Sequence, residues 1–268
     1  GRVSDRSPGG GFSPEQKDLQ RPYKAGYIKQ LIAMSPVNGM ILADPDTPMM
    51  VGSLDAAYQA AGCVINALDD LMSDKINRAF CAVRPPGHHA QSNRAMGFCF
   101  LNNVAIAAKK AQSEYGLERI AIIDFDVHQG NGTIDILADD PRFLICSSFQ
   151  HPSFPFSHWR NIHNNVINTP LNIDTGGLEM RRAVEAQWLA QLQEFKPQLT
   201  IVSAGFDAHK DDHMAELNWH TDDYAWLGSF LSDINKENNE NKILAVLEGG
   251  YNLKALASSA HSFIESFR

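Results

Sequence analysis

Short apolar runs alternate along the chain with longer segments in which apolar residues recur every three or four positions. The short runs are apolar on both faces, as is typical of parallel strands that helices cover on each side. They predict strands at residues 78–83, 119–125, 142–148, 199–206 and 242–250. The longer segments predict helices at residues 54–72, 102–115, 178–195, 221–234 and 253–267. This alternation indicates βαβ units and an α/β domain built on a mostly parallel sheet.

Two segments lack either pattern. Residues 1–26 begin with a polar stretch that contains Gly and Pro, and we predict a flexible N-terminal arm or remnant there. Residues 27–268 are then a single domain, which suits a chain of 268 residues. Residues 150–175 are rich in Pro, Asn and His, and are long for a connection, which favours a functional loop.

The strand predicted at 119–125 ends in charged residues rather than in a turn. Asp124, Asp126 and His128 follow one another at every second position, so extended backbone places their side chains on one side. Two carboxylates and an imidazole in one place are most simply reconciled by a bound cation. A metal site is therefore the hypothesis, and an Asp-rich surface turn is the alternative that this short motif leaves open.

Other predicted strands are also followed by residues whose side chains can bind metal or take part in catalysis. Asp207 follows the strand at 199–206 and can complete a three-ligand catalytic zinc site that keeps one open position. His88 and His89 follow a Pro-Pro-Gly turn, where they could bind metal or act as general base and acid. Tyr251 follows two glycines and can donate a hydrogen bond to a developing oxyanion. Because carboxyl ends of parallel strands meet at one edge, we expect one shared site.

Composition narrows the class of partner. The hydrophobic content of 44% fits a globular protein, and the net charge of −8 argues against nucleic-acid binding while leaving room for a cationic substrate. The four cysteines are few, and three of them lie in apolar segments, so buried thiols are expected. No apolar run is long enough for a membrane span and no signal-peptide layout is present, so the sequence predicts a soluble, cytoplasmic protein.

Five motifs together resemble the zinc-dependent histone deacetylase superfamily. They are RPPGHHA, GFCFLNNVAIAA, DFDVHQGNGT, VSAGFDAH and LEGGYN, in this order and spacing. The likeness is greatest to class II deacetylases and to bacterial acetylpolyamine amidohydrolase-like members, and it covers roughly residues 40–265. It implies the three-layer arginase/deacetylase α/β fold, with helices on both faces of the sheet, and a zinc-dependent amidohydrolase activity.

The resemblance also implies roles for individual residues. One zinc ion would be bound by Asp126, His128 and Asp207. His88 matches the first histidine of a catalytic dyad, with Asp124 as its carboxylate partner. His89 matches the second histidine, which takes the proton of the attacking water, and Asn131 stands where some members have an aspartate. An amide partner should make His89 less basic than a carboxylate would.

Further roles concern the substrate. Tyr251 matches the tyrosine that polarises the amide carbonyl together with zinc. The implied channel residues are Gly97, Phe98 and Phe154 in the walls, Met214 at the mouth, and Asp46 or Asp44 as a rim carboxylate. The resemblance also implies a potassium ion near Asp124 and Ser147.

The substrate implied by the resemblance is an acetylated lysine in a histone or another protein. An acetylated polyamine is the alternative substrate, and a non-catalytic module that binds acyl-lysine is the alternative function. The module would be expected to lack Tyr251, a dyad histidine or a metal ligand, and all of these are present. Homo-oligomerisation stays open.

Overall fold

In the computed structural model, which describes residues 14–238 and 242–267, a parallel sheet of six strands forms the centre. The sheet order is β3-β8-β7-β4-β5-β6, and a separate antiparallel hairpin consists of β1 and β2. The strands are β1 Met40–Asp44, β2 Thr47–Met50, β3 Arg78–Cys81, β4 Ile120–Asp124, β5 Phe143–Gln150, β6 Val166–Leu171, β7 Leu199–Ala204 and β8 Ile243–Leu247.

Helices connect and cover these strands. They are α1 Gln16–Gln20, α2 Tyr27–Met34, α3 Ser53–Met72, α4 Asn103–Tyr115, α5 Asn131–Leu137, α6 Gly177–Phe195, α7 Thr221–Asn238 and α8 Leu253–Ser266. Within the described residues, no helix has the length and apolar character that crossing a bilayer requires.

The sheet is buried on both faces, which explains the continuous apolar strands. In β4, Ala121 and Ile123 pack on one face with side chains of α6, α7 and α8. Ile120 and Ile122 pack on the other face with side chains of α3, α4 and α5. The alternation of side chains along a strand divides them between the two layers. This arrangement confirms the predicted three-layer α/β fold with a parallel central sheet.

The structure differs from the prediction at the edges of the fold. The segment 150–175, predicted as a loop, contains the edge strand β6. Its sequence VINTPL includes Asn168, Thr169 and Pro170, and an edge strand tolerates such residues because only one side pairs. The hairpin β1–β2 was also missed, because Pro48 lies in one strand and Met40, Leu42 and Met50 are exposed.

From α1 onward, the structure differs from the flexible arm predicted over 1–26. Leu19 and Tyr23 are buried in a cluster with side chains of α2 and α3. The Tyr23 hydroxyl accepts a hydrogen bond from the backbone N–H of Asn102 at 2.6 Å. Apolar contacts and this hydrogen bond hold the segment on the domain, and the sequence shows neither in advance. Residues 1–13 of the predicted arm lie outside the described residues.

A partly exposed ion pair stabilises the turn before β5. The Asp140 carboxylate accepts hydrogen bonds from Arg142 Nε at 2.8 Å and Nη2 at 2.9 Å, and from Gln112 Nε2 of α4 at 2.8 Å. These bonds to Arg142, opposed by partial burial, lower the pKa of Asp140 from 3.8 to about 2. A carboxyl group whose pKa is lower in the folded state stabilises that state above its unfolded pKa.

We therefore expect Asp140→Asn to lower the free energy of unfolding by about 1 kcal/mol above pH 5, as for a partly exposed pair. This loss corresponds to a decrease in Tm of about 2–4 °C. The difference from wild type should shrink as the pH falls from about 4 towards 2, because the wild-type carboxylate then becomes protonated. Thermal melts from pH 7 to pH 3 test this, with Asp139→Asn on the exposed neighbouring side chain as control. A difference that is constant over this range would contradict the expectation.

Candidate active site

The candidate site lies at the carboxyl ends of the central strands. β4 and β7 are neighbours in the sheet, so the residues that follow them, Asp126 and Asp207, come together. β3 and β8 pair on the far side of β7 and bring His88, His89 and Tyr251 to the same edge. The topology therefore gathers side chains that are more than a hundred positions apart in the sequence.

Asp126, His128 and Asp207 form a compact buried group in which one potential ligand atom from each lies within 4.8 Å of the others. His128 Nδ1 is 3.1 Å from Asp126 Oδ1 and 3.3 Å from Asp207 Oδ2. The other oxygens are held by the backbone: Asp126 Oδ2 accepts from Gly249 N–H at 2.7 Å and Asp207 Oδ1 from Val127 N–H at 3.0 Å. These bonds orient both carboxylates with one oxygen each towards His128.

The electrostatics of this group fit a cation. Burial opposes charge on His128, but Asp126 and Asp207 outweigh it and raise the pKa of its imidazole to about 10. Burial and the charge of Asp126 raise the pKa of Asp207. Asp207 Oδ2 is buried, and among the described residues it accepts no well-oriented hydrogen bond. Two carboxylate oxygens and one imidazole nitrogen are ligands that zinc accepts, with a position left for a further ligand.

Gly249 leaves room for these carboxylates. A Cβ atom at this position would lie 2.6 Å from Asp126 Oδ2 and would also overlap Asp207 Oδ2. Gly249→Ala should therefore displace both carboxylates and lower metal affinity by at least about tenfold, as losses in the surroundings of a metal site do. Isothermal titration with zinc checks this. Gly176→Ala is the control, since its Cβ would meet only the mobile end of Glu179 and Asn218 O at the edge of contact; equal affinities in both variants would contradict the prediction.

The two histidines after β3 lie tilted against each other beside the metal-ligand group and have different partners. Their ring centroids are 4.0 Å apart. His88 Nδ1 is 3.0 Å from Asp124 Oδ2, whereas His89 Nδ1 is 2.7 Å from Asn131 Oδ1. Each Nδ1–H therefore donates to an oxygen, which leaves Nε2 of each ring for the cavity side.

The two histidines have pKa values shifted in opposite directions. Burial lowers the pKa of His88, but the charges of Asp126 and Asp124 outweigh it and bring the pKa well above its usual value. Burial and the charges of His88 and His128 hold the pKa of His89 well below its usual value. Neighbouring groups with divergent pKa values are suited to opposite proton-transfer roles.

Tyr251 approaches the group from the loop between β8 and α8. The two glycines before it allow a close turn, and Gly250 has a φ of +130° that other residues rarely adopt. Burial, with the charges of Asp207 and Asp126, raises the pKa of the Tyr251 phenol. The hydroxyl therefore keeps its proton near neutral pH and can donate a hydrogen bond.

A cavity of about 300 Å³ leads from the surface to these groups. Its lining includes all of the predicted catalytic, metal and channel residues except the rim candidate Asp44 and three buried residues, Asp124, Asn131 and Asp207. The aromatic walls contact the candidate catalytic residues: the Phe154 ring meets His89 edge-on at 5.0 Å and the Phe98 ring meets Tyr251 at 6.2 Å. Gly97 is required beside His89, because a Cβ there would overlap the imidazole.

Asp46 and Met214 line the cavity, and Asp44 does not. Asp44 is instead paired with Arg94, whose Nη2 is 2.7 Å away. Asp46 Oδ1 accepts hydrogen bonds from Gly97 N–H at 3.1 Å and from the Thr47 hydroxyl at 2.8 Å. Of the two predicted rim carboxylates, Asp46 therefore borders the cavity and also supports its wall.

Three supporting residues were not found from the sequence. Glu248 Oε2 accepts from the N–H groups of Gly87 at 2.6 Å and His88 at 3.1 Å, and Arg84 donates to the carbonyls of Glu248 at 2.8 Å and Gly250 at 3.0 Å. The ends of β3 and β8 thus hold each other. Asp212 binds the Tyr251 loop from the opposite side. The sequence offered one signal for them: Arg84 lies in the motif RPPGHHA, Glu248 lies in LEGGYN, and Asp212 follows shortly after VSAGFDAH.

Sequence comparison identifies the domain type. A model of the histone deacetylase domain matches residues 13–267. The histone deacetylase-like amidohydrolase of Pseudomonas aeruginosa is 34% identical over 88% of this chain and 63% of its own length. The polyamine deacetylase HDAC10 of Mus musculus is 34% identical over 95% of this chain and 38% of its own length. The chain thus spans less than two thirds of both relatives.

A solved structure supports the same fold. The crystal structure of the HDA15 HD domain superposes with a TM-score of 0.88 and 29% sequence identity, over 95% of this chain and 73% of that one. A probable deacetylase of Archaeoglobus fulgidus is also similar, with 34% identity over 91% of this chain and 68% of its own length.

Proposed function

Since this chain belongs to the histone deacetylase family, we propose that it is a zinc-dependent hydrolase that removes the acetyl group from lysine side chains of a protein or peptide. We also propose that it acts as a single catalytic domain. The observation that carries the proposal is the convergence of a buried Asp-His-Asp group, a histidine pair and a tyrosine on one narrow cavity.

The metal would be held by Asp126, His128 and Asp207. When bound there, zinc would polarise the substrate carbonyl and lower the pKa of a water molecule. The protein's part is to hold both carboxylates in place through the N–H groups of Gly249 and Val127. This backbone support keeps the ligand geometry fixed while substrates enter and leave.

The histidine pair would move the protons. His89 donates through Nδ1 to an amide oxygen, which stabilises a positive charge less than a carboxylate does. The ring therefore stays neutral, and its Nε2 would be available to accept a proton from water. His88 donates to the carboxylate of Asp124, which favours the imidazolium form. The pair can then return a proton to the leaving amine.

Tyr251 and the channel would position the amide. The Tyr251 hydroxyl would donate a hydrogen bond to the carbonyl oxygen as negative charge develops on it. The aliphatic lysine stem would lie between Phe98 and Phe154, whose side chains line the cavity. Burial of several methylene groups there contributes about 0.8 kcal/mol each.

The mouth of the cavity favours acetyl-lysine over an acetylated polyamine. A polyamine carries a further ammonium group, which needs a carboxylate partner when it is desolvated. The cavity lining also includes Met214, Ser153 and Phe98, and Asp46 is the lining carboxylate outside the metal-ligand group. Asp46 Oδ1 already accepts hydrogen bonds from Gly97 and Thr47, so only part of this carboxylate remains to pair with a second ammonium group, and we take acetyl-lysine as the first candidate. This same carboxylate makes an acetylated polyamine the second candidate substrate.

We further propose a potassium ion beneath the dyad. Asp124 of β4 lies in register with Ser147 of β5. The Ser147 hydroxyl is buried and, within residues 14–238 and 242–267, has no hydrogen-bond partner. A monovalent cation would satisfy this oxygen and reinforce the Asp124 side of the dyad.

Substrate class is tested by measuring kcat/KM of the zinc-loaded protein on an acetyl-lysine peptide and on acetylputrescine. We expect at least about tenfold preference for the peptide, the discrimination that one mismatched group in a pocket gives. Asp46→Asn should raise KM for the peptide, since the rim then lacks its carboxylate. A preference for acetylputrescine would replace the first candidate by the second, and turnover of neither substrate would contradict deacetylation of both types.

A further inference from the structure

Asp212 is a buried carboxylate that joins the loop after β7 to the loop that carries Tyr251. Its side chain is almost inaccessible to solvent, and within the described residues it accepts hydrogen bonds from backbone N–H groups. Oδ2 accepts from Tyr251 N–H at 2.6 Å and from Asn252 N–H at 2.8 Å, and Oδ1 accepts from Met214 N–H at 3.1 Å. One side chain thus contacts both the catalytic loop and the rim of the cavity.

The position of the carboxylate at a helix start strengthens these bonds. Asn252 is the N-cap of α8, and its own side chain accepts from the N–H groups of Lys254 and Ala255. The first N–H groups of a helix of 14 residues carry partial positive charge, which favours a carboxylate nearby. Charge-assisted hydrogen bonds of this kind are roughly twice as strong as neutral ones.

The Tyr251 loop depends on such outside restraints. Gly249 and Gly250 precede the tyrosine and bring no side chains that could pack. Arg84 holds the loop from the β3 side by donating to the Gly250 carbonyl at 3.0 Å. Asp212 holds the following peptide groups from the β7 side, so the backbone of Tyr251 is fixed between the two.

We propose that Asp212 is a positioning residue for the proposed deacetylation: it places the Tyr251 hydroxyl for hydrogen bonding to the substrate carbonyl. Asp212 does not line the cavity, and it acts through Tyr251. Misplacement of a catalytic group by about 1 Å can cost about 100-fold in rate, so loss of this restraint should be visible in kcat. The inference rests on the proposed function.

The experiment is a double-mutant cycle on kcat with Asp212→Ala, Tyr251→Phe and the combination, in the zinc-loaded protein with saturating acetyl-lysine peptide. Saturation removes the contribution of Met214 at the mouth to substrate binding. We expect Asp212→Ala to lower kcat at least about tenfold in the wild-type background. In the Tyr251→Phe background, the same change should lower kcat less than about threefold, because the hydroxyl that Asp212 places is already absent.

Two further measurements separate positioning from general stability. Asp211→Ala, at the adjacent exposed carboxylate, should leave kcat unchanged. Amide hydrogen exchange of the peptide around 249–252 should be faster in Asp212→Ala than in Asp211→Ala. If Asp212→Ala does not fold, Asp212→Asn replaces it, since an amide oxygen can satisfy only part of the three N–H donors.

The outcomes distinguish the two proposals. Suppose that the wild-type protein turns over the peptide and that Asp212→Ala lowers kcat equally in both backgrounds, or not at all. This result would overturn the role of Asp212 and leave the proposed function intact. A wild-type protein without turnover on acetylated amines would overturn both. Loss of kcat that depends on the Tyr251 hydroxyl supports the inference.

Discussion

Tyr251→Phe is expected to lower kcat on an acetyl-lysine peptide by about 100-fold or more, the usual consequence of removing one oxyanion donor. The hydroxyl donates only to charge that develops during the reaction, so KM should change far less than kcat. The phenyl ring keeps the contact with Phe98, whose centroid lies 6.2 Å from the tyrosine ring. Steady-state kinetics with zinc content measured in parallel test this prediction.

Tyr115→Phe is the matched control for this change. Its hydroxyl donates to Asp69 at 2.7 Å on the surface, away from the cavity, so the same substitution there should leave kcat unchanged. Near-normal kcat in Tyr251→Phe at full zinc occupancy would remove Tyr251 from the proposed mechanism. A loss of zinc in that variant would also contradict the account, because the hydroxyl is not assigned to the metal.

Asp207→Asn is expected to weaken zinc binding by at least about 100-fold, since substitutions even of groups that only support metal ligands cost about 10–100-fold. The amide can still accept the Val127 N–H bond at Oδ1, so the local backbone should stay in place. The change also removes a buried charge and its repulsion with Asp126, the two causes that raise the pKa of Asp207. The metal-free variant should therefore be as stable as metal-free wild type, or more stable.

Thermal melts with and without zinc test this prediction and need no activity assay. A metal that binds only the native state raises Tm, so wild type should shift and Asp207→Asn should not. Asp211→Asn, on an exposed side chain four positions away, should shift like wild type. An Asp207→Asn protein that shows the wild-type zinc shift would contradict the assignment of Asp207 as a ligand.

The centre of the fold follows from the sequence because its signals are local. All five predicted strands occur in the parallel sheet, and the chemistry-bearing residues lie at their carboxyl ends as a parallel sheet requires. Asp126 and His128 could be placed together from spacing alone, since both follow β4. Their closeness to Asp207 depended on β7 being the neighbour of β4, which only the topology shows.

The periphery did not follow from the sequence because its restraints come from distant residues. The α1 region looked like an arm, yet Leu19 is buried and the Tyr23 hydroxyl bonds to the backbone of Asn102. Asp212 looked like one of several charged loop residues, and its function as an acceptor for the Tyr251 loop depends on contacts 39 positions away in the sequence. Such long-range contacts produce no periodic pattern in the sequence from which they could be predicted.

We propose that this chain hydrolyses an acetylated amine with a metal held by Asp126, His128 and Asp207. The most direct test is to titrate metal-free protein with zinc and follow acetate release from an acetyl-lysine peptide. We expect the rate to rise in proportion to zinc up to one ion per chain and then to stay level. A rate that does not depend on zinc, or one bound ion per chain without acetate release, would contradict it.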